Sequence, residues 1–340
     1  MTMAKAGEPE RATGEQMATS TAMQLKTWLP ESFEKALRPL PQWVPVSLDK
    51  PQRAIQVRFS AGGQTSDGTT RCVVASLAPL RVAVGLPTPL PERANGEARL
   101  SFHDTASEKT LGQLRLQFHA ARLLDTGVNL TIFDVTEASH RCTRGITRAW
   151  NTWLQDRAFR RRSRDTAGMT PKGVRQLMIF YICPRPVVLV SVAGEHHSNL
   201  FPMDLIGAVS EDRFTLALRS TSASIPTMRA TRRVAISDMP ASLTPVIYRL
   251  GGHHKKPIVD SSELPFDMRK SSLFSLPHPA NALRVRELEI LSCDEVGSHT
   301  LFVTRTASDI RFAEGSQLFH VSGDYQHYRA KLAAPFTLAG

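Results

Sequence analysis

The chain has 340 residues, 41% of them hydrophobic, which is long enough for two domains with separate cores. Forty-two lysines and arginines against 31 acidic residues give a formal charge of +11. This charge suits an anionic partner such as a nucleotide or a phosphate-bearing cofactor, and it fits a solvated basic surface equally well.

The N-terminal residues are small and polar, without the apolar core of a signal peptide. We expect residues 1–45 to be disordered or to form a short helix. The most apolar stretch, residues 177–193, contains Pro184, Arg185 and Pro186, so we expect two strands joined at a proline corner and not a membrane span. The four cysteines are scattered, which favours reduced thiols in a cytoplasmic protein.

Short alternating segments from Arg53 to about Phe133 predict a small antiparallel barrel or sandwich. They read "AIQVRFS", "RCVVASL", "LRVAVGL", "EARLSFHD", "GQLRLQFHAARLL" and "VNLTIFDV". Ile146, Trp150 and Trp153 then recur at helical spacing and predict a helix that closes the barrel. The arginine run after this helix begins a basic linker, so the first domain spans residues 46–165. With few interleaved aromatic residues, this run does not favour nucleic acid as a partner.

A second series of strands predicts another domain over residues 170–335. The segments read "RPVVLVSVA", "RFTLALRS", "RRVAISDM", "LRVRELEILSC", "HTLFVTRTA" and "QLFHVSGDY". Between the second and third, "SIPTMRAT" predicts a short helix. A hydroxyl cluster precedes it, suited either to a phosphate or to ordinary capping, and comprises Ser220, Thr221, Ser222 and Ser224. The usual glycine-rich phosphate loops are missing from the sequence, so a nucleotide would need a different architecture.

The order of "PRPVVLVSV", "SNLFPMDLIGAVS", "FTLALRSTSAS", "GSHTLFVTR" and "QLFHVSGDYQHY" resembles the flavin reductase family. In that family a Gly-Asp-His turn enters a strand, and a closing strand ends in a Tyr-bearing tail. The matching positions here are Gly297-Ser298-His299 and Gly323-Asp324-Tyr325. The resemblance implies a mainly β protein whose C-terminal half is an FMN-binding split β-barrel. It also implies NADH or NADPH as reductant, FAD as an alternative flavin, a homodimer and an electron-accepting protein partner.

The resemblance further implies site residues. His299 would be the catalytic residue beside the flavin ring, although Ser298 replaces the acidic residue that could orient the imidazole. Apart from the resemblance, the basic composition of "GGHHKK" suggests a mobile lid that would bind the phosphates of the pyridine nucleotide through His254, Lys255 and Lys256. Flavin contacts are implied for Asn199, Phe201, Pro202, Met203, Asp204, Ser220, Thr221, Ser222, Ser224, Arg229 and Tyr325.

The histidine pairs His196-His197 and His253-His254 do not predict a metal site. Neighbouring residues in an extended segment point to opposite sides, and no carboxylate is spaced to complete a ligand set.

The N-terminal half more weakly resembles a PilZ domain, a six-stranded barrel followed by a helix. Such domains bind cyclic di-GMP through arginines ahead of the first strand and an Asp/Asn-x-Ser-x-x-Gly turn. Arg53 and Arg58 would be those arginines, and Val74, Ser76 and Pro79 occupy the turn. Because proline cannot replace glycine there, we expect a barrel that has lost its ligand. The alternative to an enzyme is therefore a flavin- or nucleotide-binding regulatory protein whose barrel docks a partner or binds cyclic di-GMP.

Overall fold

The computed structural model describes residues 39–49, 54–87, 89–90, 98–161, 168–195, 197–256 and 259–339. Most of the N-terminal segment, Arg53, His196 and part of the basic linker lie outside these residues. The described residues form mostly β-strands, which confirms the predicted fold class. None of their helices is long and apolar enough to cross a membrane.

The first series of strands forms one antiparallel sheet. Strand β1 (Trp43–Leu48) precedes this sheet and pairs elsewhere. The members are β2 (Ile55–Ala61), β3 (Gln64–Asp67), β4 (Cys72–Leu77), β5 (Leu80–Leu86), β6 (Ala98–Asp104), β7 (Thr110–Leu123) and β8 (Asn129–His140), in the order β3-β2-β6-β7-β8-β5-β4. In β2 buried residues alternate with half-buried ones, as the sequence pattern predicts. The sheet's likeness to a PilZ barrel stays a prediction.

Helix α1 (Gly145–Arg161) forms where helical spacing predicted it, but its apolar stripe faces solvent. Ile146 is 89% exposed, and Trp150 and Trp153 are 42% and 49% exposed. The helix packs through a polar residue instead: buried Asn151 donates from Nδ2 to Asp324 Oδ1 at 3.2 Å. The expectation that this stripe closes the barrel is therefore wrong.

Helix α2 (Pro171–Phe180) corrects the prediction that the apolar stretch from residue 177 begins with a strand. Thr170 caps the helix by accepting from Gly173 N–H at 3.1 Å, and Pro171 occupies its first turn. These start signals lie ahead of the apolar run, so the run continues a helix. Strands begin only at the predicted proline corner, with β9 (Arg185–Pro186) and β10 (Val188–Gly194).

The C-terminal half contains a second antiparallel sheet of seven strands. With β10 it comprises β11 (His197–Met203), β12 (Ile206–Ala208), β13 (Arg213–Arg219), β14 (Arg233–Asp238), β17 (Arg284–Val296) and β18 (His299–Arg311), in the order β11-β10-β14-β17-β18-β13-β12. Further elements are α3 (Ile225–Thr231), α4 (Thr244–Arg249), β15 (Met268–Lys270), β16 (Pro277–Pro279), β19 (Gln317–Ser322) and α5 (Gly323–Lys331). Helix α3 confirms the prediction from "SIPTMRAT".

The two halves of the chain are closely joined. Strand β19 pairs with β9 on one side and with β1 on the other, so an N-terminal strand completes a C-terminal sheet. Strand β4 packs against β12, β13 and β18. A Cβ atom at Gly85 would lie 1.9 Å from Val209 O, so the two backbones approach as closely as glycine allows. The candidate site lies where these halves meet.

Candidate functional site

A cavity of about 860 Å³ lies between the two halves, a volume typical of a cofactor site. One side is residues 39–43, called here the N-terminal strap, together with α1 and α2. The opposite side is formed by the C-terminal sheet and the loop after α4. Its lining residues outside the strap include Leu77, Gln155, Ala158, Phe159, Leu177, Tyr181, Met203, Leu205, Ala217 and Arg219.

The N-terminal strap is fixed by contacts at both of its sides. Leu40 donates from its backbone N–H to Asn151 Oδ1 at 2.8 Å, and Gln155 Nε2 donates to Leu40 O at 3.2 Å. A Cβ atom at Gly323 would lie 2.0 Å from Pro41 O. The strap therefore sits directly against α1 and the start of α5, and it holds a cavity wall that the C-terminal half alone does not supply.

The structure brings part of the predicted site to this cavity and leaves the rest elsewhere. The predicted residues that line it are Pro202, Met203, Asp204, Thr221, Ser222, His254 and Lys255. The predicted residues that are not part of its lining are Asn199, Phe201, Ser220, Ser224, Arg229, Lys256, His299 and Tyr325.

Asn199 and Phe201 lie on β11, where they contact the segment that follows α4. Asn199 is buried, and its Nδ2 donates to His253 O at 2.9 Å and to Lys256 O at 3.0 Å. Phe201 is buried in the core and contacts the His254 ring at 4.5 Å between centroids. Both residues therefore position the segment after α4, of which His254 and Lys255 line the cavity.

The segment "GGHHKK" is an anchored 3₁₀ helix over Leu250–Lys255 and not a free lid. His253 Nδ1 bonds Leu200 O, and His254 Nε2 bonds Pro202 O, both at 2.9 Å. Burial lowers the pKa of His254, so its neutral imidazole donates the Nε2 proton to this carbonyl. In the part of the chain that the structure describes, no group of histidine, cysteine and acidic residues could hold a metal ion.

The hydroxyl cluster is divided between the cavity and the surrounding structure. Thr221 and buried Ser222 line the cavity. Ser220 Oγ lies 3.4 Å from Thr300 Oγ1, whereas Ser224 Oγ accepts from Asn199 Nδ2 at 3.3 Å. Ser224 precedes α3 but makes no side-chain cap, so its hydroxyl supports β11 instead.

Arg219 is a cavity residue that the sequence reasoning missed. It ends β13, and Ala217 two residues earlier also lines the cavity. Side chains two positions apart on a strand share a face, so alternation along "FTLALRS" could have indicated Arg219. Arg219 adds a permanent positive charge beside Thr221 and Ser222.

His299 starts β18, directly opposite Arg219, and is 1% exposed. Its Nδ1 lies 2.9 Å from Ser298 Oγ. Burial, with the nearby charges of Arg219 and His254, lowers the pKa of His299 to about 4. The imidazole is neutral near pH 7 and couples electrostatically to two residues of the cavity wall.

Arg229 and Tyr325 lie apart from the cavity. Arg229 is on α3, and its guanidinium is 3.5 Å from the Glu295 carboxylate. Tyr325 is buried in α5, with its ring stacked on Tyr328 at 6.4 Å between centroids. The expected Tyr-bearing tail is thus the start of helix α5, whose first residue, Gly323, lies against the strap.

Asp204, by contrast, is at the centre of a hydrogen-bonded group that the sequence did not reveal. Its Oδ2 accepts from Tyr181 Oη and from His320 Nδ1, both at 2.7 Å. Burial opposes ionisation of Asp204, but these two hydrogen bonds outweigh it and lower its pKa. Asp204 is therefore a stable carboxylate in the cavity wall.

Residues 180–329 match the family described as "Flavin reductase like domain", and this part of the chain is a flavin reductase-like domain. No curated protein matches the chain. Among solved structures, an FMN-binding protein from Thermus thermophilus is 24% identical (TM-score 0.34; 38% of this chain and 72% of that chain covered). A Streptomyces globisporus NADH:FAD oxidoreductase is 23% identical (TM-score 0.40; 46% and 92% covered). The flavin reductase component of a bacterial two-component tryptophan halogenase is 19% identical (TM-score 0.39; 44% and 94% covered).

Proposed function

We propose that the protein binds FMN in this cavity and reduces it with hydride from NADH or NADPH. One observation carries the proposal: Pro202, Met203, Thr221 and Ser222, all from the flavin reductase-like domain, line the same cavity. These residues come from two strand ends that the sequence resemblance assigned to the flavin ring and to its phosphate.

The chemistry of the lining fits a flavin mononucleotide. Leu177, Met203, Leu205 and Ala217 supply apolar surface for a planar ring. Arg219, with the hydroxyls of Thr221 and Ser222 nearby, supplies the kind of donors that bind phosphate.

Beyond binding, the protein has to position the flavin for hydride transfer. A bound flavin would supply the two-electron acceptor, and the chain would hold it and exclude water. Trp43 and Pro41 of the strap, with Phe159 of α1, cover the cavity from the N-terminal side. The homodimer and the electron-accepting partner belong to the same proposal, and analytical ultracentrifugation with and without flavin tests the first.

Purification and flavin extraction test the proposal directly. We expect a yellow protein whose extracted flavin is FMN and whose colour bleaches anaerobically with NADH or NADPH, but not after heat denaturation. A yellow protein inert to both nucleotides would support the regulatory binding protein. A colourless protein that neither FMN nor FAD reconstitutes would refute both.

A pair of variants on one helix ties binding to the cavity. Ala158 of α1 lines the cavity, whereas Ala149 of the same helix is exposed. Ala158→Phe should fill the cavity and abolish flavin binding, whereas Ala149→Phe should bind flavin like the unmodified protein. Equal binding by both variants would place the flavin elsewhere.

A further inference from the structure

Four side chains from four different parts of the fold form one hydrogen-bonded chain. Tyr181 follows α2, Asp204 follows β11, His320 is on β19 and Tyr248 is on α4. Asp204 Oδ2 accepts from Tyr181 Oη and His320 Nδ1, and Tyr248 Oη bonds His320 Nε2 at 2.7 Å. Each link has the length of a strong hydrogen bond.

The four hydrogen-bonded side chains extend from a partly exposed residue to the cavity. Tyr248 is 41% exposed, His320 is buried, and both Asp204 and Tyr181 line the cavity. The Trp43 ring covers the middle, with its centroid 6.1 Å from that of His320 and 6.3 Å from that of Tyr181. The hydrogen bonds therefore run beneath Trp43 from a partly exposed residue to the cavity wall.

The protonation states give the chain a direction. Because the Asp204 carboxylate only accepts, Tyr181 Oη and His320 Nδ1 both donate to it. Where the imidazole of His320 carries its proton on Nδ1 alone, its Nε2 accepts from the hydroxyl of Tyr248. Burial raises the pKa of Tyr248 to about 12, so this phenol must gain a proton from water as it gives one to His320.

One charged and one titratable group also act on these hydrogen-bonded residues. Arg185 on β9 lies opposite His320 and interacts electrostatically with Tyr181. His254, from the 3₁₀ helix after α4, interacts with Asp204. A variant of the relay therefore has to leave both of these residues in place.

We propose that Tyr248, His320 and Asp204 form a proton relay that delivers one proton from solvent for each flavin reduced, an inference that rests on the proposed function. Hydride from NAD(P)H carries two electrons and one hydrogen to the flavin and leaves NAD(P)⁺. The second hydrogen is a proton: the Asp204 carboxylate takes it from His320 Nδ1 and passes it into the cavity, while His320 Nε2 takes the proton of Tyr248 and Tyr248 takes one from water. The imidazole returns to its starting tautomer before the next reduction.

The first test needs no flavin. Protein labelled with ¹⁵N-histidine is compared with Tyr248→Phe and the matched control Tyr328→Phe, and His320→Gln identifies the His320 signal. We expect exchange of the His320 Nδ1 proton with water to slow by about tenfold or more in Tyr248→Phe and to stay unchanged in Tyr328→Phe. Equal exchange rates in all three proteins would overturn the relay.

The second test follows anaerobic reduction of the flavin-loaded protein by NADH or NADPH in stopped flow, with a pH-indicator dye. In Tyr248→Phe, proton uptake should lag behind flavin bleaching while the Kd for FMN is unchanged. Simultaneous uptake and bleaching in this variant would also overturn the relay. Normal proton exchange in a protein that no nicotinamide reduces would instead refute the reductase activity and, with it, this use of the relay.

Discussion

Ser298 and Ala78 are joined by reciprocal hydrogen bonds across the contact between the two halves. Ala78 N–H donates to Ser298 Oγ, and Ser298 N–H donates to Ala78 O, both at 3.0 Å. Gly297 has a φ of 63°, and a Cβ atom there would lie 2.6 Å from Ser76 Oγ. The serine that replaces the acidic residue of related turns therefore joins this hairpin to the N-terminal sheet.

We expect Ser298→Ala to lower the free energy of unfolding by about 1–2 kcal/mol, because the half-buried Ala78 N–H loses its acceptor. Ser292→Ala on the same hairpin is the matched control, since its half-buried hydroxyl makes no hydrogen bond in the described structure. Urea denaturation measures both. Equal stabilities of the two variants would show that the Ser298 side chain is not part of the contact.

Arg219 and Arg229 are a matched pair of arginines, one in the cavity and one on the surface. Arg219 lines the cavity, whereas Arg229 pairs with Glu295 outside it. We expect Arg219→Ala to raise the Kd for FMN by about 10- to 100-fold, since a charged hydrogen bond contributes roughly 1.5–3 kcal/mol. Riboflavin, which lacks the phosphate, should lose much less affinity.

Isothermal titration of both ligands with Arg219→Ala and Arg229→Ala measures this difference. Equal losses for FMN and riboflavin in Arg219→Ala would mean that Arg219 supports the ring or the fold and not the phosphate.

Lys255 and Lys256 are a second matched pair, since the first lines the cavity and the second does not. If the 3₁₀ helix contacts the pyridine nucleotide, Lys255→Ala should raise its KM roughly tenfold, and Lys256→Ala should change it little. Steady-state oxidation of NADH and NADPH checks both variants. An unchanged KM in Lys255→Ala would remove this segment from nucleotide binding.

Local patterns predicted most strands, because alternation reports directly which side chains a sheet buries. These local patterns gave wrong predictions where contacts between distant elements determine which side chains are buried. The helical stripe of Ile146, Trp150 and Trp153 predicts burial, yet Asn151 is the side chain of α1 that the neighbouring elements bury. The cap at Thr170 was a local signal for α2 that the apolar run obscured.

The residues of the site could also be predicted only in part from the sequence. Pro202 and Thr221 could be identified because the resemblance and the turn pattern mark the ends of strands. The hydrogen-bonded group of Tyr181, Asp204, His320 and Tyr248 could not be identified from the sequence. Its members come from separate elements, and no spacing in the sequence relates them. Residues 39–48 were missed, and residues 39–45 were expected to be disordered or helical, because the pairing of β1 with β19 joins opposite ends of the chain and places the strap beside it.

His299 provides the last prediction, which concerns stability at low pH. Its folded-state pKa of about 4 lies below the ordinary 6.5, so the unfolded chain binds more protons between these values. His299 should therefore cost the folded state up to about 3 kcal/mol as the pH falls from 6.5 to 4, and nothing above 6.5. His299→Gln should remove this dependence whatever its effect on packing.

Urea denaturation of both proteins between pH 4 and 8 measures the difference in their free energies of unfolding. The difference should be constant above pH 6.5 and should shift in favour of His299→Gln below it. A constant difference at all pH values would mean that His299 titrates normally in the fold. The same variant tests the predicted catalytic role: reduction by NADH should slow more than FMN affinity falls, and equal losses would leave His299 a structural residue.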